Sequence, residues 1–392
     1  MYRRIAIVFL LLACSGCLLA QDLSNIQIHG FATQGFMYSS TNNFLGANTS
    51  AGSFQWTDGA VSVSDSLSDK LRVGIQLHMY QLGEFGGPNI QVDWASGDYK
   101  FNVYAGVRAG KIKTPLGLFT DSQDVDAVHL FALLPQSIYP IDNRSFYLSI
   151  IGGEYYGSMN LGKKGGTLMY RGYVGYRSLD MSGGYENEIN AIVAELDGAL
   201  GQPYSAVPTA PGGNAFGGDV RWLTPVKGLL VGSSVMIADL HGSAPGGISL
   251  GQPMNGITQE YAQFEKGKFM AAGEWRRQPV AFHVTAGPIN DAIPLDWRSW
   301  YGMFGYHVTE KLQVGTYYSH FVDAGGGNNT SLVANYSKDW TVSARYDFNS
   351  YFYGKLEEHF VHGTDWGYYS DDNPNGLQPR SNLLAAKIGF SF

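Results

Sequence analysis

The sequence is poor in cysteine and in charge, and its interior has no long apolar run. Its 2 cysteines, Cys14 and Cys17, lie near the start, so the rest of the chain has no disulfide and no thiol chemistry. Charged residues make up 15% of the 392 positions, whereas a soluble domain usually has about a quarter. A membrane helix needs about 20 consecutive apolar residues. These absences exclude a thiol enzyme, a disulfide-stapled domain and a helical membrane protein.

Glycine and aromatic residues are abundant instead, and acidic residues are in slight excess. The chain contains 51 Gly and 25 Tyr, and 14% of its residues are aromatic. Its formal net charge is −7. We therefore expect no nucleic-acid partner, because such partners select basic surfaces.

The start of the chain has the pattern of a secretory signal peptide. Arg3 and Arg4 precede an apolar stretch that ends in small residues, which predicts a leader removed during export. We expect residues 1–20 to be this leader, with cleavage after Ala20. The stretch "LLAC" leaves lipidation of Cys14 as the alternative.

Apolar and polar residues alternate along most of the remaining chain. In "LRVGIQLHMY", the alternate positions from Leu71 to Met79 are apolar, and those from Arg72 to Tyr80 hold Arg, Gly, Gln, His and Tyr. A period of two predicts β-strands with one apolar face. Because the polar face carries Arg, Lys and Gly and the apolar face ends in aromatics, the pattern favours a barrel with lipid outside and water inside.

We interpret residues 21–392 as one domain, an all-β transmembrane antiparallel β-barrel of about sixteen strands. Tight links such as "LSDK", "LGKKG" and "VTEK" alternate with long ones, as do the periplasmic turns and outer loops of bacterial barrels. This places the barrel in the outer membrane with both termini in the periplasm. The strands are expected near 26–40, 52–65, 70–83, 90–99, 102–112, 151–162, 166–178, 215–225, 228–241, 256–266, 268–283, 296–308, 311–323, 330–348, 351–363 and 382–392.

Two of the outer links are unusually long. Residues 113–150 contain the apolar run "AVHLFALLP", and residues 179–213 contain a possible helix, "NEINAIVAELDGAL". Long loops inside compact folds are usually functional. An exposed loop would have little use for such an apolar run. We therefore expect the third outer loop, 113–150, to fold into the lumen and narrow it.

Charged residues within the strands are expected to point inward, because Arg or Lys facing lipid costs about 2–4 kcal/mol at the midplane. The inward set is Arg72, Arg108, Arg171, Arg177, Arg221, Arg276, Arg345, Lys355 and Lys387, with Asp93, Glu154, Asp219, Glu274, Asp347 and Glu357. Side-chain charges set the selectivity of pores, so this basic-leaning wall favours a mild anion preference. The alternative is that these residues pair across strands and brace the barrel.

The stretch "RAGKIKTPLGLF" leads the fifth strand into the third outer loop. Lys113 stands near the strand end, and Asp121, Asp124 and Asp126 follow. A basic strand facing an acidic inserted loop would create a transverse field at a constriction; the alternative is a solvated acidic loop. The candidate pore-lining and constriction residues are Arg72, Arg108, Lys113, Asp121, Asp124, Asp126, Glu154, Arg171, Arg345, Lys355 and Glu357.

Signals for other chemistry are weak. The stretch "EEHFVH" has residue types that bind metals, but on a strand His359 and His362 point to opposite faces. No short motif marks an activated nucleophile. We therefore predict no catalytic residue, no metal and no cofactor.

The chain resembles Gram-negative outer-membrane porins in its leader, its alternating strands and its ending, "KIGFSF". Phe390 and Phe392 match the alternating ending with a terminal aromatic residue that the barrel assembly machinery reads in that family. The stretch "RAGKIKTPLG" also resembles the G-x-x-K-x-P element of phosphate-selective porins, with Gly110, Lys113 and Pro115 in the matching places. The dense lysine cluster that would support phosphate selectivity is not seen here.

The resemblance implies a third-loop constriction and a homotrimer. We expect passive diffusion of small hydrophilic solutes or ions, with outer-membrane lipid, lipopolysaccharide and the assembly machinery as partners. Two other functions stay open: an outer-membrane barrel enzyme, such as a lipase or protease, and a plugged structural or adhesive barrel.

Overall fold

The computed structural model describes residues 25–178, 183–201 and 212–392. They form sixteen antiparallel strands in a closed barrel, because β1 pairs with both β2 and β16. This confirms the predicted fold class. The predicted signal peptide, 1–20, lies outside the described residues.

The strands follow one another around the barrel in chain order. They are β1 Ile26–Ser39, β2 Trp56–Ser66, β3 Leu71–Leu82, β4 Phe85–Asn102, β5 Ala105–Lys113, β6 Ser149–Asn160, β7 Thr167–Ser178, β8 Gly212–Leu223, β9 Leu229–Ala244, β10 Ile248–Lys266, β11 Phe269–Ala286, β12 Ile289–His307, β13 Leu312–Asp323, β14 Tyr336–Asp347, β15 Phe352–Gly363 and β16 Arg380–Ser391. Two α-helices lie in the links, α1 Arg144–Leu148 and α2 Gly184–Leu200. In the described ranges, neither helix is long and apolar enough to cross a membrane.

The two ends of the barrel have different links. At the lower end, where β1 begins and β16 ends, the links are short, as at 67–70 and 348–351. At the upper end, the links after β1, β5, β7, β13 and β15 are long. The links after β3, β9 and β11 are tight hairpins at 83–84, 245–247 and 287–288. The prediction of long outer loops is wrong at these three hairpins, because the paired strands continue above the expected boundary.

Alternation sorts the side chains between the two faces of the wall. On β14, Trp340 and Val342 point outward and are 56% and 41% exposed, whereas Thr341 and Ser343 point inward and are buried. Outward aromatic residues gather at two heights. The upper girdle consists of Trp275, Trp300, Tyr318, Trp340 and Phe360, and the lower girdle includes Phe269, Phe304, Tyr346, Phe348, Phe352, Phe390 and Phe392. An apolar band between two aromatic girdles is typical of barrels in membranes.

Strand β16 closes the barrel down to its last residue. The N–H of Phe392 donates to the carbonyl of Gly30 at 3.0 Å, and the N–H of Gly30 donates back at 3.1 Å. The terminal aromatic residue is therefore fixed to β1.

The interior of the barrel contains apolar clusters as well as polar groups. Helix α2, which confirms the predicted helix, places Val193 against Leu240 and Val284 on the inner faces of β9 and β11. Residues 114–148, here called the strap, contribute further buried apolar residues such as Phe131 and Ile138. The upper part of the lumen is thus partly filled by the chain's own links.

Candidate pore and its lining

The strap enters the lumen directly after β5. Arg177 on β7 donates to the Thr114 hydroxyl at 2.6 Å. The N–H of Gly117 donates to Ser234 at 3.0 Å. Gly117 has φ +89°, and a Cβ there would lie 2.0 Å from Nε2 of Gln259. Glycine is needed at this point because the backbone passes so close to the wall.

The middle of the strap is held by an ion cluster. Asp126 accepts from Lys387 at 2.8 Å and from the Tyr353 hydroxyl at 2.8 Å, and it lies 3.0 Å from Lys355. Burial opposes ionisation of this carboxyl, but Lys355 and Lys387 outweigh it and hold the pKa of Asp126 below its usual range. One strap carboxylate therefore joins β15 and β16.

Backbone groups of the strap complete this attachment. The N–H groups of Ala132 and Leu133 donate to the Glu357 carboxylate at 2.5 and 3.2 Å. Arg345 donates to the carbonyls of Ala127 and His129 at 2.5 and 2.9 Å. These wall residues satisfy backbone groups that the strap would otherwise bury unpaired.

The strap then returns across the lumen to β6. The Tyr139 hydroxyl donates to Glu274 on β11 at 2.5 Å. Arg144 in α1 forms an ion pair with Asp93 on β4. Contacts with both sides of the barrel make the strap a bridge across the lumen.

The side of the lumen toward β14–β16 is nearly full. The cavity that the strap borders there has a volume of about 30 Å³, and another of about 60 Å³ lies between the strap, β2, β3 and Lys387. Lys355 and Glu357 are 3% and 1% exposed. The geometry gives these two predicted pore-lining residues a bracing role beneath the strap.

The opposite side carries a series of inward arginines, here called the inner ladder: Arg72, Arg108, Arg171 and Arg221 on β3, β5, β7 and β8. Two of them have carboxylate partners on neighbouring strands, and Arg221 pairs with Asp219 on its own strand. Arg108 donates to Asp98 at 2.9 Å, and Arg171 donates to Glu154 at 2.9 Å.

Asp121 of the strap faces the inner ladder. It accepts from Arg171 at 3.0 Å and lies 3.8 Å from Arg221. Arg72 donates to the Ser64 hydroxyl at 2.8 Å. A basic wall and an acidic strap therefore meet on this side, which is the arrangement that the sequence predicts for the constriction.

A cavity of about 460 Å³ lies beside the inner ladder. Its charged lining consists of Arg72, Arg108, Lys113, Asp98 and Asp121. Three basic groups thus stand against two carboxylates. This space is a polar opening that the strap leaves along β3–β6, and its lining has a surplus of positive charge.

A second cavity, of about 390 Å³, adjoins this region and is lined in part by Asp93 and Arg144. A short polar cluster connects the two cavities. Gln76, which lines the first cavity, donates to Asp93 at 3.3 Å and to Asp124 of the strap at 2.6 Å. Lys113 donates to the same Asp124 at 2.7 Å. This cluster therefore ties the strap to β3, β4 and β5 on this side.

Several residues at this site are absent from the predicted set of pore-lining residues. Gln76 and Trp94 line the cavity without charge, and Tyr156 donates to Asp98 at 2.5 Å. Strict alternation from the inward Asp93 puts Asp98, five residues further on, on the outward face, and the register shift opposite Gln76 brings both side chains inward. The sequence therefore carries no signal for Asp98 or for the uncharged residues.

Comparison with known proteins shows similarity of structure alone. No protein-family model matches the sequence, and no curated protein matches it. Outer-membrane expressed OmpT of Vibrio cholerae is 11% identical, with a TM-score of 0.57 over 95% of this chain and 99% of that chain. The anion-selective porin of Comamonas acidovorans is 12% identical, with a TM-score of 0.57 over 94% of this chain and 99% of that one.

The outer-membrane channel DcaP of Acinetobacter baumannii is 8% identical, with a TM-score of 0.54 over 94% of this chain and 97% of that one. A trimer form of the Vibrio cholerae OmpT is also similar, with a TM-score of 0.51 and 10% identity over 94% and 99%. At these identities the comparisons establish the fold: a sixteen-stranded barrel like those of outer-membrane proteins.

Proposed function

We propose that this protein is an outer-membrane porin through which small hydrophilic solutes or ions diffuse passively, with a mild preference for anions. The observation that carries the proposal is the 460 Å³ cavity beside the inner ladder, with its three basic groups and two carboxylates. Charged pore walls select ions, and a surplus of one basic group gives a weak preference. In this proposal, the solutes or ions pass through this cavity and then past the cluster of Gln76 and Asp124.

Several features support the membrane location and assembly in this proposal. Two aromatic girdles border the outward apolar band, and such girdles stand at membrane interfaces. The short links then face the periplasm and the long links face outward. Phe392 ends β16 in the way that the assembly machinery reads in porins. The trimer form of a structural neighbour supports assembly of three copies.

The second candidate is a plugged barrel with a structural or adhesive role. It is favoured by the strap's attachment to β11, β15 and β16 and by the cavity of only about 30 Å³ between the strap and β13–β16. The porin proposal requires that passage occurs along β3–β6, where the strap leaves space.

The experiment is a planar-bilayer recording of the purified, folded protein. We expect stable ohmic steps of small conductance. In a salt gradient, we expect a reversal potential that is shifted toward the equilibrium potential of the anion. Folded protein without conductance would contradict the porin and favour the plugged barrel.

The proposal includes no catalytic step. Purified protein is therefore expected to leave lipid and peptide probes intact. Hydrolysis of such a probe, abolished by a single substitution, would replace the porin with a barrel enzyme.

A further inference from the structure

Basic residues form a lateral row on the outward face of six neighbouring strands, β11–β16. Arg277 pairs in register with Arg298, Lys338 pairs with both His320 and His362, and His362 pairs with Arg380. The step from β12 to β13 is offset, because Arg298 pairs with Val322 and His320 lies two residues lower. The outer cationic row consists of four permanent cations, Arg277, Arg298, Lys338 and Arg380, together with two histidines that lie between them, His320 and His362.

The row follows the upper aromatic girdle at a constant offset. Arg277 is two residues above Trp275, and Lys338 is two residues above Trp340. The same offset relates Arg298 to Trp300, His320 to Tyr318 and His362 to Phe360. The girdle residues are 37% to 56% exposed on the outward face. Since aromatic girdles stand at the membrane interface, the row lies at the height of the lipid headgroups.

The positive charge of the row is only partly neutralised by the protein. Asp296 accepts from Arg277 at 2.9 Å and from Arg298 at 2.5 Å. Lys338 lies 4.6 Å from the ring centre of Tyr336. Within the described ranges, Lys338 and Arg380 have no carboxylate at salt-bridge distance.

Elsewhere on the outward face, several exposed residues at the upper end are uncharged. Tyr38, Ile151 and Tyr176, on β1, β6 and β7, are all about half exposed and uncharged. On β5, Lys111 donates from its Nζ to the carbonyl of Val92 at 2.5 Å. The four permanent cations therefore lie on one arc of the barrel, which spans on the order of 25 Å at the usual strand spacing.

We propose that the outer cationic row binds the phosphate groups of outer-leaflet lipid headgroups. The strongest part is the stretch from Lys338 through His362 to Arg380, where no carboxylate competes. Guanidinium and ammonium groups donate charge-assisted hydrogen bonds to phosphate, while the aromatic residues beneath pack against the lipid's apolar chains. Binding needs the barrel to lie in a membrane but does not depend on conduction.

The test measures binding of a doubly phosphorylated lipid A to the folded full-length protein in detergent. The triple variant Arg298→Gln, Lys338→Gln, Arg380→Gln removes three permanent cations. Each such cation near an anionic headgroup contributes about a fivefold effect, so we expect affinity to fall by about a hundredfold. Circular dichroism and heat-dependent gel mobility establish that the variant is folded.

A matched control removes the same charge from the lower links. The variant Lys163→Gln, Lys164→Gln, Lys227→Gln changes three exposed lysines and is expected to bind lipid A like the unaltered protein. Lipid A without phosphates is expected to bind weakly to all three proteins. The proposal is overturned if the two triple variants lose affinity equally, if the outer variant binds normally, or if the phosphate-free lipid binds as tightly.

Discussion

The two sides of the lumen use inward basic residues for different purposes. Toward β15 and β16, Lys355 and Lys387 are 3% and 5% exposed and hold Asp126 of the strap. Toward β3 and β5, Arg72 is exposed and the Arg108 side chain is 30% exposed, and both border a cavity of about 460 Å³. The role of a basic wall residue is therefore decided by what covers it.

The source of the partner carboxylates explains the difference. Buried lysines need an opposite charge and further hydrogen bonds, and the strap supplies these through Asp126 and the carbonyl of Phe131, which accepts from Lys355 at 3.0 Å. The inner ladder takes Asp98, Glu154 and Asp219 from the wall itself and Asp121 from the strap. That wall is thus neutralised largely without the strap and can stay open to water.

The largest effect is expected from removing the strap's central anchor. Asp126→Ala leaves Lys355 and Lys387 buried without their carboxylate, and breaking such a cluster costs about 3–5 kcal/mol. The strap should detach from β15 and β16, and the filled side of the lumen should open. We expect a several-fold rise in single-channel conductance.

The control for this variant is Asp69→Ala, in the exposed link after β2. It removes the same charge without touching the strap and should leave the conductance unchanged. Equal conductance in Asp126→Ala and the unaltered protein would show that the strap is not held by the cluster.

A smaller effect is expected from pH. It concerns the local stability of the upper links that cover the side of the lumen toward β14–β16. Burial, with the nearby charge of Asp323, raises the pKa of Asp365 to about 7, and burial raises the pKa of Asp142 to about 6. For a carboxyl with a raised pKa, the stabilisation is complete below its unfolded pKa and is lost as pH rises through the folded value. These links should therefore loosen between about pH 4 and pH 7.

Hydrogen exchange over residues 364–379, corrected for intrinsic rates, measures this loosening. Between pH 5 and pH 8, we expect protection to fall by about 10- to 100-fold, a ratio that follows from the raised pKa of Asp365. Asp365→Asn should remove most of the dependence. Protection that is independent of pH in the unaltered protein would contradict the buried neutral carboxyl.

The architecture could be predicted from the sequence because strand alternation is a local signal. The parity of Leu71 to Tyr80 determines which side chains face the lumen, and the structure places Gln76 and His78 inward and Ile75 and Leu77 outward. The hairpins after β9 and β11 were not predicted. Their strands extend beyond the expected boundary, and nothing local marks the height at which the membrane would end.

The detailed site depends on contacts that alternation does not contain. The pairing of Asp126 with Lys387 joins residues far apart in sequence, as does that of Glu357 with Ala132. The outer cationic row was missed for a different reason. The assumption that charges point inward hid Lys338, although its offset of two residues from Trp340 was visible in the sequence.

The smallest effect is expected from a substitution in the open wall of the lumen. It tests the comparison of the two sides most directly, because it leaves the filled side unchanged. Arg108→Gln removes one of three basic groups beside the 460 Å³ cavity and leaves the strap's anchors intact. Its control, Arg298→Gln, removes the same charge from the outward face. Both variants keep the barrel's pairing, so their conductance should resemble that of the unaltered protein.

The deciding measurement is the reversal potential of each protein in a salt gradient across a planar bilayer. The proposed path predicts a shift toward cations for Arg108→Gln and no shift for Arg298→Gln, because only Arg108 borders the cavity. Identical reversal potentials for Arg108→Gln and the unaltered protein would contradict passage along the inner ladder.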